Sequence, residues 1–313
     1  MKHPHHPVQM SHLMFPTTNM NNRMGVISNV NIQHTIQPKI HKKIAIINRL
    51  MIHEQILAKQ LNASIIPYST TEMMKYDTII FLGAFVGRRM LKLKILNAKR
   101  PGTKIYIWWI GTDVLNAMTK RDYDLTTIRG IRATHLCVSN DLKRELSQIR
   151  INAEVLPLVP DISRYKPWPL PPQYTVAVYM PSQALDFYGF TKTKIIIQST
   201  PDIKYLIYGN KSKFPLTGPN ISDMGWVTDT SQIMKMSSCL LRLTNHDGFP
   251  KSVIEAICTG RSVITNHDFP FVDNMNDVNT IISKIKSKPI LDPRAIIHYN
   301  QEFNFNKIIE RFR

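Results

Sequence analysis

Residues 245–260 read N-H-D-G-F-P-K-S-V-I-E-A-I-C-T-G, and the segments flanking their centre decide the fold. Upstream, residues 238–244 (S-C-L-L-R-L-T) form an apolar run of the length of a buried parallel strand. Downstream, Val253, Ile254, Ala256 and Ile257 recur at helical spacing, and Gly260 stands where a left-handed residue closes a helix. Residues 247–250 are therefore a tight strand-to-helix turn. It puts Asp247 at the carboxyl end of the strand and Glu255 about two turns into the helix. In an open α/β sheet that edge is where ligands bind. A helix start offers unpaired N–H groups suited to phosphate, and Lys251 in the first turn opposes the helix dipole unless an anion is near. The alternative is an ordinary strand–helix unit with a solvated lysine and a surface glutamate.

The same alternation runs through the chain. Strand patterns at Ile44–Ile47, 77–82, 104–110, 134–139 and 154–157 alternate with helical patterns at 51–61, after Gly87 and from the Asn140/Asp141 cap to about 150. Residues 166–173 (K-P-W-P-L-P-P-Q) carry four prolines in eight positions, a stiff extended linker. A second series follows: strands at Thr175–Tyr179, 203–208, 238–244 and Ser262–Thr265, with helices at 191–199, Thr230–Met236, 251–259 and 277–285. Strand–helix alternation implies parallel sheets. The expected fold is α/β, with two Rossmann-like domains whose parallel sheets face each other across a cleft. The expected divisions are an N-terminal arm (1–40), a first domain (41–165), the linker (166–173), a second domain (174–290) and a C-terminal helix (291–313) that packs back across the junction.

Composition narrows the function. With 313 residues and 43% hydrophobic content the chain can bury two cores. No apolar run approaches the roughly 20 residues of a membrane span, and the first residues lead into no apolar stretch of a signal peptide. Cys137, Cys239 and Cys258 lie in apolar patterns and read as buried thiols of a reducing, cytoplasmic compartment. Forty Lys and Arg against 22 Asp and Glu leave a net charge of +18, which suits a polyanionic partner: nucleotide phosphates, anionic lipid or nucleic acid. No G-x-G-x-x-G follows the first strand, which argues against a nicotinamide or flavin enzyme with that fingerprint. A Walker loop, a G-x-S-x-G elbow and paired C-x-x-C motifs are also absent. No metal site is expected. Asp122-Tyr-Asp124 follows Lys120-Arg121 rather than a buried strand, and His246 and His267 have no partners at ligand spacing. His3, His5 and His6 belong to a His-Pro tail of the flexible kind.

Asp247 and Glu255 are separated by seven residues, with Gly248 and Pro250 between them. This resembles the acidic-x7-Glu signature in the C-terminal domain of retaining GT-B glycosyltransferases, the GT4-like group (glycosyltransferase group 1). The wording continues to match through residue 265, and 201–209 (P-D-I-K-Y-L-I-Y-G) and 224–227 (M-G-W-V) are similar to the same family. In the first half only 108–113 (W-W-I-G-T-D) is similar, there to the strand-end loop that lines the acceptor side.

The resemblance implies a nucleotide-diphosphate sugar as donor substrate, with no cofactor and no metal. It implies that Asp247 holds donor-sugar hydroxyls and Glu255 the ribose hydroxyls. Gly248, Phe249, Pro250, Lys251 and Ser252 would stabilise the departing diphosphate, where charge develops. Trp226 with Val227 would grip the nucleobase, or Trp226 plugs the sheet edge. Gly83, Gly111 and Thr112 would lie on the acceptor side, with Asp113 orienting the acceptor hydroxyl or only capping a helix. It further implies retention by front-face attack, the leaving phosphate taking the acceptor proton. Two departures stand out. Asp247 is shorter than the commoner Glu, and the loop 180–189 (M-P-S-Q-A-L-D-F-Y-G) has no base where the family carries Arg and Lys. Arg242, Lys211 and Lys192 are the substitutes on offer. The expected acceptor is a glycan or lipid-linked molecule. A basic face at Arg88, Arg89, Lys92 and Lys94 would touch an anionic membrane peripherally. A non-catalytic nucleotide-sugar-binding relative and a DNA-modifying transferase of phage or virus type are the other readings, and nucleic acid ranks behind lipid as a partner.

Overall fold

The computed structural model describes residues 43–47, 52–83, 90–119, 125–158, 165–303 and 305–312. All lie in the unit Lys42–Arg313; the unit Met1–His41, and with it the expected arm, lies outside the described residues.

The first sheet grows from apolar runs such as Thr78–Leu82, in which every residue is buried, as a strand covered on both faces requires. Its elements are β1 (Ile44–Ile47), α1 (Ile52–Leu61), β2 (Ser64–Ile66), α2 (Thr70–Met73), β3 (Thr78–Leu82), α3 (Leu91–Lys99), β4 (Lys104–Trp109), α4 (Thr112–Thr119), α5 (Leu125–Arg129), β5 (Thr134–Cys137), α6 (Asn140–Gln148) and β6 (Ala153–Val155). The strands pair in parallel in the order β2-β1-β3-β4-β5-β6. The second series is β7 (Thr175–Tyr179), a 3-10 turn (Leu185–Tyr188), α7 (Phe190–Ser199), β8 (Lys204–Tyr208), β9 (Ile221–Gly225), α8 (Thr230–Met236), β10 (Cys239–Arg242), α9 (Lys251–Cys258), β11 (Ser262–Thr265), β12 (Asp273–Asn274), α10 (Val278–Lys286), α11 (Pro293–Glu302) and α12 (Phe305–Phe312). Its sheet runs β12-β11-β10-β7-β8-β9, also parallel. The strand order reverses between β7 and β10, and an open parallel sheet leaves a crevice at such a point, here beyond Tyr179 and Arg242.

Three strands escape the sequence reading, and all three are edge or near-edge pieces: β2, β9 and the two-residue β12. The cap of α6 is Ser139, whose hydroxyl accepts from Leu142 N at 3.3 Å, not Asn140 or Asp141. The C-terminal segment is two helices rather than one.

The halves are tied by backbone carbonyls and by aromatics. Arg261 is fully buried, and its guanidinium donates to the carbonyls of Met234 (2.7 Å), Trp168 (3.1 Å) and Pro169 (3.0 Å). It thereby fastens the proline-rich linker to the end of α9. Trp168 N donates to Thr259 O at 3.2 Å, and Lys235 lies 4.3 Å over the Trp168 ring. Helix α12 returns to the first domain, where Phe312 packs on Tyr106 and Trp108 and Arg311 pairs with Glu154 at 2.7 Å. Cys137, Cys239 and Cys258 are free and buried, and burial pushes each thiol up to about 11. Among the described residues no helix is long and apolar enough to cross a membrane.

Candidate active site

Strand β10 ends in Arg242, and the turn that follows brings Asp247 back beside it. The guanidinium Nε donates to Asp247 Oδ2 at 2.8 Å, with the second nitrogen at 2.7 Å. Both side chains are nearly closed off, at 10% and 13% exposure. Thr244 Oγ1 donates to the same oxygen at 3.3 Å. The guanidinium also lies over the rings of Tyr179 (5.5 Å) and Tyr188 (5.9 Å), which belong to the far side of the crevice. Burial, and then the nearby Tyr188, push the Tyr179 phenol above its ordinary range, against the pull of Arg242. Of the three candidate substitute bases, Arg242 is thus the one at the β7–β10 reversal. Lys192 instead reaches the Asn276 carbonyl at 3.4 Å on the exposed side of α7.

Glu255 is buried on α9, about one turn inside the helix start rather than the two expected, because α9 begins only at Lys251. Lys251 reaches it at 3.0 Å from the preceding turn, and the Tyr165 hydroxyl donates to the same carboxylate oxygen. Tyr165 also meets Thr230 Oγ1 at 3.2 Å, so the residue just before the linker is wired to the acid of the second domain. Beside them the Tyr208 hydroxyl, at the end of β8, and Ser252 Oγ, in the first turn of α9, are buried with no hydrogen-bond partner among the described residues. Burial, and next the Glu255 charge, push the Tyr208 phenol far above its ordinary value.

The two sheets meet at glycine. A Cβ on Gly248 would lie 2.2 Å from Ile110 O, and one on Gly111 (φ +142°) would lie 3.2 Å from Gly248 N. Only glycine permits this backbone contact between the 110–113 turn and the 247–250 turn. Asp113 stands at the start of α4 and accepts from Gly111 N at 2.8 Å and from Ile110 N at 3.1 Å. Its carboxylate thus holds its own turn. Thr112 opens α4, and Gly83, at φ +71°, follows β3 and donates to Trp108 O at 2.7 Å. His246, next to Asp247, meets Glu145 of α6 at 2.9 Å across the junction. Phe249 points the other way and packs on Phe269, Phe303 and Tyr299.

Lys211 and Trp226 form a separate wall. Lys211 Nζ sits 5.1 Å over the Trp226 ring, which is 57% exposed, in a hollow of about 640 Å³ also lined by Asn210 and Asp223. Burial pushes the Asp223 carboxyl up, but the bonds it accepts from Phe214 N, Asn210 and Gly225 N outweigh this and hold it below its ordinary value. Val227 is half-buried against the core. Next to Asn210 in the chain, Gly209 packs against the Tyr179 ring, which also meets Tyr208 edge to face. Among the described residues no group of three or more His, Cys, Asp or Glu is placed to hold a metal ion. Gly87, Arg88, Arg89 and Asp122-Tyr-Asp124 lie outside the described residues. Sequence reasoning overlooked Tyr165, Tyr179, Tyr188, Tyr208 and Thr244; of these Tyr179, Tyr208 and Thr244 each end an expected strand, the local signal that could have found them.

No protein-family model matches the sequence, and no curated protein matches it. Solved structures do. The lipopolysaccharide outer core galactosyltransferase WaaB superposes with a TM-score of 0.63 at 14% identity, covering 86% of this chain and 99% of WaaB. Anabaena Alr3699/HepE, solved with UDP and glucose, gives 0.62 at 11% identity, covering 87% and 98%. TarM gives 0.57 at 14% identity over 75% of this chain, which spans about half of TarM (53%). At such identities the likeness establishes the fold: two facing parallel αβ domains, the GT-B architecture.

Proposed function

We propose that this chain is a retaining, metal-independent glycosyltransferase that moves a sugar from a nucleotide-diphosphate sugar to a glycan or lipid-linked acceptor. The observation that carries the reading is the placement of Asp247 and Glu255 on either side of the start of α9, at the β7–β10 reversal of a GT-B sheet. In this reading Glu255 accepts from the ribose hydroxyls and Asp247 from sugar hydroxyls. The N–H groups at the start of α9, with Lys251 and Ser252 Oγ, receive the diphosphate as its bond to the sugar breaks. Arg242 takes the place of the basic pair missing from 180–189. The acceptor oxygen bonds to the anomeric carbon on the face the phosphate leaves, and its proton passes to that phosphate oxygen. The partnerless hydroxyls of Tyr208 and Ser252 support a ligand here, because buried polar groups seldom go unpaired. The Trp226–Lys211 wall fits a nucleobase. The similar structure solved with UDP and glucose, and the similar lipopolysaccharide galactosyltransferase, favour a UDP-sugar and a glycan acceptor.

A panel of UDP-, GDP- and ADP-sugars tests this by thermal shift, donor hydrolysis and transfer; silence with every donor overturns it. Each charge-assisted bond to ribose is worth about 1.5–3 kcal/mol. Glu255→Gln should therefore weaken the free nucleotide and the sugar nucleotide alike, roughly tenfold or more, while Asp247→Asn weakens only the sugar nucleotide. Equal effects on plain UDP would refute these roles. A second reading, a non-catalytic nucleotide-sugar-binding relative, is favoured by the tight Arg242–Asp247 pair and the base-free loop 180–189. Its signature is donor binding without hydrolysis or transfer.

A further inference from the structure

Helix α3 is apolar on both sides, and only one side faces the core. Leu93 and Leu96 are buried, whereas Leu91 and Ile95 stand 47% and 37% exposed. At about 3.6 residues per turn, Leu91, Ile95 and Ala98 fall on one outward stripe. Lys94 flanks it on one side and Lys92 and Lys99 on the other, and the helix has no acidic residue. Lys92 leans inward, donating to Tyr68 O at 2.8 Å and lying 5.0 Å from its ring, while Lys94 and Lys99 are exposed. On α2, which packs beside α3, Glu72 is already paired with Lys75 at 2.7 Å.

The helix is also fixed in place. Asn97 Oδ1 accepts from Arg132 N at 2.6 Å, and its amide donates to Arg132 O at 3.3 Å. At the C-terminal end Arg100 donates to Met74 O (2.6 Å) and Asp77 Oδ1 (2.8 Å). The outward stripe is therefore presented by a helix anchored near its C-terminal end.

We infer that the outward face of α3 is a docking surface for an anionic lipid bilayer. The inference stands whether or not the chain turns over a donor. An apolar stripe between lysines is the pattern of a helix lying in the membrane interface: Leu91 and Ile95 enter the acyl boundary while the lysine stems reach back to the phosphates. The helix's own charge is of one sign and complements lipid phosphate, the neighbouring Glu72 and Asp77 being paired with Lys75 and Arg100. Duplex DNA would satisfy the lysines equally well but has nothing to receive two exposed aliphatic side chains, and this decides between the two polyanions.

Co-sedimentation of the full chain with phosphatidylcholine vesicles, with and without phosphatidylglycerol, at matched salt, tests the surface. The chain should pellet with the anionic vesicles and stay in solution with the neutral ones. The double variant Leu91→Ser/Ile95→Ser should lower partitioning about tenfold, from lost apolar insertion. Lys94→Glu/Lys99→Glu should lower it at least roughly thirtyfold, at about 1 kcal/mol for each of the two lysines removed. All four positions are exposed, so melting temperatures should not move. The matched pair Lys194→Glu/Ile195→Ser on α7, where Ile195 is alone on its face, should change nothing. The inference is overturned if anionic vesicles do not bind, if the α3 variants bind as well as the parent, or if the α7 pair matters as much. A duplex-DNA shift without vesicle binding assigns the charge to nucleic acid and overturns it too.

Discussion

The two turns that touch at the junction each carry an aspartate just after a parallel strand, and they use it differently. In the 110–113 turn, Asp113 bonds the backbone N–H groups of Ile110 and Gly111, and the strand beneath ends in Trp109, whose indole donates to the neutral ring of His135 at 3.1 Å. In the 247–250 turn, Asp247 leans on side chains, the Arg242 guanidinium and the Thr244 hydroxyl, with tyrosine rings beneath. A carboxylate bound to its own backbone is part of the fold, since releasing it undoes the turn. A carboxylate held by a side chain can exchange that partner for a ligand hydroxyl while the backbone stays put. Identical residue type and similar position thus give one acid bonded to its own backbone and one bonded to side chains.

Acid should break the first turn from beneath, with the largest effect. Burial lowers His135 from an ordinary 6.5 to about 4. The unfolded chain then takes up the proton first, so the contribution is whole above about pH 6.5 and is lost as pH falls through about 4. The full loss is roughly 3 kcal/mol. Urea midpoints across that window should slope downward with acid, and His135→Gln, which keeps an acceptor for Trp109, should flatten the slope. An unchanged slope in the variant would show that His135 is not the buried base.

The contact between the turns can be broken next. Gly248→Ala places a methyl against the Ile110 carbonyl, backbone against backbone, where no flexible side chain can yield. Overpacking of this kind costs about 2 kcal/mol. Chemical denaturation should register the cost, and donor binding should fall with it, because the Asp247 turn must shift.

How much of this was legible follows from where the residues sit. Strands β1, β7 and β11 stand where their apolar runs imply, as does helix α8, because each is buried enough for burial to dictate residue type. Strand β9 (I-S-D-M-G) was not legible: at a sheet edge its residues are half-buried or exposed, so no run marks it. The acid pair Asp247 and Glu255 could be read from local spacing. Their partners could not, for Tyr165 lies 90 residues from Glu255 along the chain. Arg261 belongs to the quoted stretch of family wording, yet its role depends on carbonyls 92 and 93 residues away. Local pattern encodes the edge of the sheet at which chemistry is placed; contact across the linker decides which charges there are spoken for.

The smallest effect sharpens the comparison most. Asp113→Asn retains a side-chain oxygen that can still accept from Gly111 N, losing only the charge-assisted part of the bond. The stability cost should be about 1 kcal/mol, typical of a weakened cap. Nucleotide-sugar binding should be unchanged, because the N–H groups of Ile110 and Gly111 bond that carboxylate from its own turn. Asp247→Asn makes the reciprocal case. It leaves Arg242, only 10% exposed, without its counter-charge, at a cost of about 2 kcal/mol, less than for a fully buried pair, and it weakens the sugar nucleotide as well. Calorimetric titration of both variants with one sugar nucleotide, beside their denaturation curves, separates the two aspartates. If Asp113→Asn binds donor as weakly as Asp247→Asn at equal stability, the first turn is also an available acid and the distinction between the two turns fails.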